Sequence, residues 1–383
     1  MLFKDIIGQQ DIKVQLRESV QSNRIAHAQL FYGPSGVGKL QLAIAYAQYL
    51  LCQNRTSYDA CGICQSCQLM SKFQHPDLHF IFPIFKENSS KNSFCDDFLE
   101  RFRKCISEKV YFSFNDWFDF IEAVNKQGCI YESESTVILH KATLKSFTGG
   151  LKIFIIWLPE KMNAACSNKI LKILEEPPIQ TLFILVSEDT TKILPTIKSR
   201  TQHIYVPRID RNSMINSLLS MSSQNLSIQE ASLIFHLSNG SWLKALKILN
   251  ADSDRFFLLE KFVSLFKNAW LVGNKRESRS LLELRNWSVG ISALNREKQK
   301  FFLEYSQQQI RELFIRSFNK DELNYQTKKE IEETLEMITF IKESNINKII
   351  DSLNLAQKQI EQNGNSKIIF FDLCLQMIIM LKN

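Results

Sequence analysis

The residues best equipped for chemistry are Gly33-Pro34-Ser35-Gly36-Val37-Gly38-Lys39-Leu40. Glycines at this spacing let the backbone wrap a polyphosphate with its amide hydrogens turned inward, and the lysine reaches the terminal phosphates. The pattern calls for Ser or Thr after the lysine, because that hydroxyl ligates Mg²⁺. Leu40 stands there, and an alkyl group cannot ligate a metal. The loop reads as a cradle shaped for ATP or ADP without hydrolysis, short of one metal anchor, with nucleotide binding itself left open.

The second cluster is Cys52, Cys61, Cys64 and Cys67, the last three as two overlapping C-x-x-C steps. Four thiolates so close in sequence can close a tetrahedral shell around Zn²⁺, and a closed shell is structural because no position remains for substrate. Free thiols or a redox pair are the alternative. His75 and His79 follow as rival ligands, but four cysteines already satisfy the metal. Cys95, Cys105, Cys129, Cys166 and Cys374 are scattered and read as ordinary core or surface residues.

The elements that must position these groups follow from periodicity. An apolar run at 28–32 leads into the glycine-rich loop, and Leu42, Ala43, Tyr46, Ala47, Leu50 and Leu51 recur beyond it at helical spacing. That helix should end near Cys52. A leader, Phe3 to Gln9, and a helix precede the loop. Continuous apolar runs at 151–156 and 182–186 read as buried parallel strands, and a helix at 163–176 between them is closed by Pro177-Pro178. Strands alternating with helices predict a parallel α/β sheet.

Between 86 and 131 the composition is unusual. After a polar stretch at 87–93, Phe98, Leu99, Phe102 and Ile106 trace one helical stripe, and Phe114, Trp117, Phe118, Ile121 and Val124 a second. A helical hairpin burying these aromatics on itself or on the sheet is the plain reading. A docking surface is the alternative.

All eight prolines lie at or before Pro207, so the remainder reads as all-helical. Ser227 to Glu230 form a capping box that opens one helix, and Asn239-Gly240 closes it. Helices are expected at 256–270 and 368–381. The chain of 383 residues has length for two or three domains, and 45% hydrophobic with 23% charged residues describes a soluble globular protein. A net charge of +7 is a mild bias, compatible with nucleic acid nearby. No apolar run is long enough for a membrane span, and Met1 to Gln10 do not form a signal peptide. A cytoplasmic protein is expected, its cysteines thiols or metal ligands.

Taken in order, Ile7-Gly8-Gln9, His27-Ala28, the glycine-rich loop, the four cysteines, His75-Pro76-Asp77, residues 168–178 ending Leu174-Glu175-Glu176-Pro177-Pro178, and Ser199-Arg200-Thr201 resemble the clamp-loader AAA+ subunits of bacterial DNA polymerase III. The cysteine cluster narrows the resemblance to the gamma/tau and delta-prime types. It implies an AAA+ P-loop domain over 1–209 with a zinc module at 52–67, a helical lid at 210–250 and an all-α collar at 251–383. Active members carry Asp and Glu after the strand at 151–156, and an arginine that senses phosphate near 243; here Trp157, Leu158 and Leu243 stand in those places. These departures make the chain resemble the delta-prime type, inactive itself, with an active gamma/tau-like ATPase as the alternative. Glu160 lies two residues beyond and is not expected to substitute. The resemblance also implies that Arg200 reaches a neighbour's ATP in trans, the rival being an ordinary solvated or DNA-phosphate arginine. Implied partners are gamma/tau and delta subunits, the sliding clamp and primed DNA through the complex. A separate DNA-binding module is a further alternative.

Overall fold

The computed structural model describes the chain outside residues 87–92, 124–125, 222–225, 250–251, 319–323, 325 and 383, with backbone only at 252–256, 297 and 328. The polar stretch at 87–92 and Val124 of the second stripe lie outside the described residues. Two compact units emerge, Met1–Lys247 and Ile248–Asn383.

The first unit is built on five parallel strands, β1 (Ala28–Tyr32), β2 (Leu78–Ile81), β3 (Lys152–Trp157), β4 (Thr181–Ser187) and β5 (Gln202–Tyr205), in the spatial order β2-β3-β4-β1-β5. The three central strands are the continuous apolar runs. Their registers pair Leu30 with Leu185 and Ile155 with Ile184. Every residue of β3 and β4 is buried, as expected for strands covered on both faces. The edge strands β2 and β5 were not foreseen. Each has four residues, and in β5 only Ile204 is buried, so neither carries the long apolar run that marks a covered strand.

Helices follow the strands. α1 (Gln10–Gln21) precedes β1, and α2 (Lys39–Leu51) leaves the glycine-rich loop and ends at Cys52, which is its C-cap. Every residue of α2 from Lys39 to Leu50 is buried. α3 (Gln65–Ser71) closes the cysteine segment.

The insert forms α4 (Leu99–Glu108) and α5 (Phe114–Phe120), followed by α6 (Glu132–Thr143). Its aromatics are core. Phe102 stacks on Phe82 at 3.9 Å and meets the Trp117 ring edge-on at 5.2 Å, and Trp117 Nε1 donates to Pro83 O at 2.9 Å. The hairpin reading is the one the packing matches.

α7 (Ala164–Glu175) is capped by Asn163, whose side chain accepts from Cys166 N. α8 (Pro195–Lys198) is a single turn before β5. α9 (Arg211–Met221), α10 (Ile228–Ser238) and α11 (Trp242–Leu249) follow. The expected capping box opens α10: Glu230 N donates to Ser227 Oγ at 3.2 Å, and the Glu230 carboxylate accepts from Ser227 N at 2.9 Å. The helix stops at Asn239, in the left-handed region at φ 50°.

The second unit is helical: α12 (Asp252–Trp270), α13 (Ser278–Ser292), α14 (Arg296–Ser317), α15 (Lys328–Thr334), α16 (Ile346–Glu361) and α17 (Ser366–Met380). It has its own core, with Phe262, Phe302, Leu313, Ile349, Leu353 and Phe370 fully covered.

Candidate functional site

The glycine-rich loop runs from the end of β1 to the start of α2, and its glycines earn their places. Gly33, Gly36 and Gly38 have φ of 150°, 77° and 90°, values that favour glycine. A side chain at Gly33 would collide with Val206 O, 2.1 Å from an added Cβ. The loop is closed from above by the start of α11. Trp242 N donates to Gly36 O at 2.9 Å and Ser241 Oγ to Ser35 O at 3.0 Å.

Lys39 is buried, and its ammonium is turned onto the loop itself, donating to Gly33 O at 2.9 Å and to Pro34 O. Burial pushes its pKa down, opposed by the charges of Glu188 and Glu160. Leu40 and Trp157 are each 4% exposed. The Trp157 ring packs edge-on against Phe112 at 5.2 Å, and Leu158 is buried in the left-handed region. The space left between the loop, Tyr111, Trp157, Glu188 and Leu243 is about 20 Å³, room for about one water molecule.

Two neighbours of the loop were not anticipated. Tyr111, from the insert, lies against Gly38 and accepts from Ile7 N at 3.2 Å through its hydroxyl. Glu188, just beyond β4, accepts from Ser35 Oγ at 2.8 Å. Glu160 holds the same corner: its carboxylate accepts from Glu188 N at 2.9 Å and Asp189 N at 3.3 Å. Burial raises its pKa, opposed by the Glu188 amide. No spacing rule links these residues to the loop. An acidic residue directly after an apolar strand was the only signal for Glu188.

The four cysteines converge, their sulfurs all within 4.8 Å of one another. Cys52 Sγ is 3.5 Å from Cys61 Sγ and 3.9 Å from Cys64 Sγ, and Cys61 Sγ is 3.9 Å from Cys67 Sγ. A tetrahedral Zn–S shell has edges of about 3.8 Å, so the donor set fits the ion without rearrangement. Backbone N–H groups already face the sulfurs: Cys61 N lies 3.3 Å from Cys52 Sγ and Cys64 N 3.3 Å from Cys61 Sγ. Such second contacts orient metal ligands. The amides of Cys64 and Ile63 hold the Cys61 thiol down to about 6, whereas burial pushes Cys67 up to about 12. A metal bound here would supply a cross-link between the end of α2 and α3. His75 and His79 are elsewhere. His75 Nδ1 accepts from Asp77 N at 3.2 Å, and the His79 ring lies 4.7 Å from that of Phe154.

Arg200 stands two residues beyond α8, after the C-cap Ser199, and is partly exposed, at 31% of its side chain. It is not simply solvated. Nε and Nη2 donate to Glu175 Oε1, and Nη1 donates to Thr196 O at 2.9 Å.

With this geometry in hand, comparison with known proteins is specific. A family model described as "DNA polymerase III, delta subunit" matches residues 8–210. The delta' subunit of DNA polymerase III from Pseudomonas aeruginosa is 33% identical over 175 residues, 46% of this chain and 41% of that protein. The Escherichia coli delta' subunit is 26% identical over 243 residues, 62% of this chain and 59% of that one. The gamma/tau subunit from Mycobacterium bovis is 26% identical over 201 residues, 52% of this chain and 28% of that one. The matched stretches span less than two thirds of each relative's length. Matched by the family model over more than half its length, with the glycine-rich loop, the cysteine cluster and Arg200 all inside the match, the chain belongs to the delta-subunit family of DNA polymerase III.

Proposed function

We propose that this chain is a clamp-loader subunit that turns over no ATP of its own and works through its neighbours. The observation that carries the reading is the chemistry of the two metal-holding positions. Leu40 is an alkyl group and Trp157 an indole whose N–H only donates, so neither can ligate a cation, and both are buried. Metal ions and charge stabilisation supply nearly all of phosphoryl-transfer catalysis, so a cradle without either anchor can at most retain ATP or ADP. Leu243, where active members have a phosphate-sensing arginine, removes a third contribution.

In this reading residues 1–209 are the P-loop domain, 210–250 a helical lid and 251–383 a collar that joins the subunit to gamma/tau and delta partners. Arg200 is directed at a neighbouring subunit's ATP, where a guanidinium stabilises charge building on the γ-phosphate. The assembly places a sliding clamp on primed DNA. Zinc at the four cysteines is structural.

One observation favours a second reading, an active gamma/tau-like ATPase. Glu188 and Glu160 bring two carboxylates to the loop's edge, and Glu188 contacts Ser35. Steady-state ATP hydrolysis by the pure chain separates the two. The proposal expects none above background, and a rate that disappears in Glu188→Gln would establish the rival. With partner subunits added, Arg200→Ala should lower the DNA-stimulated rate of the complex.

A further inference from the structure

We propose that Glu175 is a positioning residue for Arg200, holding the guanidinium ready for a phosphate presented by another chain; the inference rests on Arg200 acting in trans. Both side chains belong to short motifs far apart in sequence, and the fold brings them together. Glu175 is the last residue of α7, and Arg200 stands just after α8. The side-on edge of the guanidinium, Nε with Nη2, is spent on Glu175 Oε1, and Nη1 is spent on Thr196 O with Ser199 Oγ at 3.5 Å. Of the five N–H groups of the guanidinium, these contacts leave the second N–H of Nη2 for an oxygen presented from outside, a charge-assisted bond of the kind a phosphate accepts.

The setting is stiff on both sides. Pro195 opens α8, Ser199 N donates to Pro195 O at 2.9 Å, and Arg200 N donates to Ile197 O at 3.2 Å. On the other side, His27 Nε2 donates to Leu174 O at 2.9 Å, and Phe183 N donates to His27 O at 2.8 Å. The end of α7 is thereby pinned to the strand that enters the glycine-rich loop and to β4. Three pieces of the sequence signature, His27, Leu174-Glu175 and Arg200, form one connected tie.

The location of the carboxylate argues that it serves something other than its helix. An acidic side chain is favoured at a helix N-terminus and disfavoured at the C-terminus, yet Glu175 closes α7. A lone exposed ion pair contributes little to stability. A three-point hold on one guanidinium, assembled against the helix dipole, restricts direction.

The test is a double-mutant cycle in the reconstituted complex, reading DNA-stimulated ATP hydrolysis as kcat and KM, with Arg200→Ala, Glu175→Ala, Glu175→Gln and the double variant. Glu175→Ala should lower kcat about ten-fold with KM for ATP little changed, the scale of a small misplacement of a reacting group. Glu175→Gln, which keeps the acceptor oxygen, should recover much of the loss, and Glu175→Ala should add nothing once Arg200 is alanine. The thermal melt of the isolated chain should match wild type in every variant. If Arg200→Ala leaves the rate unchanged, the in-trans reading fails and this inference with it. If Arg200→Ala lowers the rate but Glu175→Ala does not, or if Glu175→Ala lowers it equally without Arg200, the inference alone is overturned.

Discussion

The Tyr111 ring lies on the α-carbon of Gly38: a Cβ added to that glycine would sit 2.8 Å from Tyr111 Cε1. A residue of the insert thus covers the helix N-terminus at which a phosphate would dock, and the hydroxyl anchors the ring to Ile7 N. Tyr111→Ala should open the loop, and calorimetry should find tighter binding of ADP by that variant than by the wild-type chain. Equal affinities would mean that the ring does not limit access.

The insert is core, so Phe102→Ala should cost about 3–5 kcal/mol of unfolding free energy, as for large aromatic truncations in packed interiors. Phe102 is fully buried between Phe82 and Trp117. Urea denaturation followed by tryptophan fluorescence measures the change. A loss below about 1 kcal/mol, the size of a surface substitution, would point instead to a detachable surface element.

At the cysteine cluster, the purified chain should carry about one zinc ion, as a closed four-thiolate shell requires, quantified by elemental analysis. Cys61→Ser should abolish retention of the metal and lower the melting temperature, and a strong chelator should reproduce both effects on the unaltered chain. The same serine change at Cys374, a buried cysteine of the second unit, should leave the metal in place.

Asp77 supplies a pH signature. Burial alone would raise its carboxyl, but the Thr148 hydroxyl at 2.6 Å and the amides of Phe147 at 2.7 Å and Thr148 at 2.9 Å outweigh burial and hold it below the ordinary value. A depressed folded-state pKa means that the folded chain binds this proton less readily than the unfolded one. The stabilisation is therefore complete above the unfolded value near 4 and is lost as pH falls through the lower, folded one. Asp77→Asn should cost about 1.5–3 kcal/mol at neutral pH, the worth of charge-assisted bonds, and the gap to wild type should close below about pH 4. A gap that stays constant from pH 6 to pH 3 would contradict the assignment.

Sequence patterning reached some of these features and missed others for identifiable reasons. The strands at 151–156 and 182–186 stood out because a strand covered on both faces is apolar at every position. Leu78–Ile81 and Gln202–Tyr205 did not, because each has only four residues, β2 is interrupted by the polar His79, and β5 buries only Ile204. The cysteine cluster was legible because its members are near neighbours along the chain. Glycines in the loop announced themselves through the backbone conformations they permit. The meetings of Tyr111 with Gly38, Glu188 with Ser35 and Glu175 with Arg200 depend on how distant elements are stacked, and periodicity holds no record of that stacking. The aromatic insert sits between the two cases. Its stripes were visible, and the identity of the surface that covers them, Phe80, Phe82 and Trp157 among others, came only with the fold.

The clasp between Gly36 and Trp242 joins peptide group to peptide group. A latch of that kind is indifferent to which side chains line the cradle, so the loop is held in the same shape whatever residues stand at positions 40, 157 and 243.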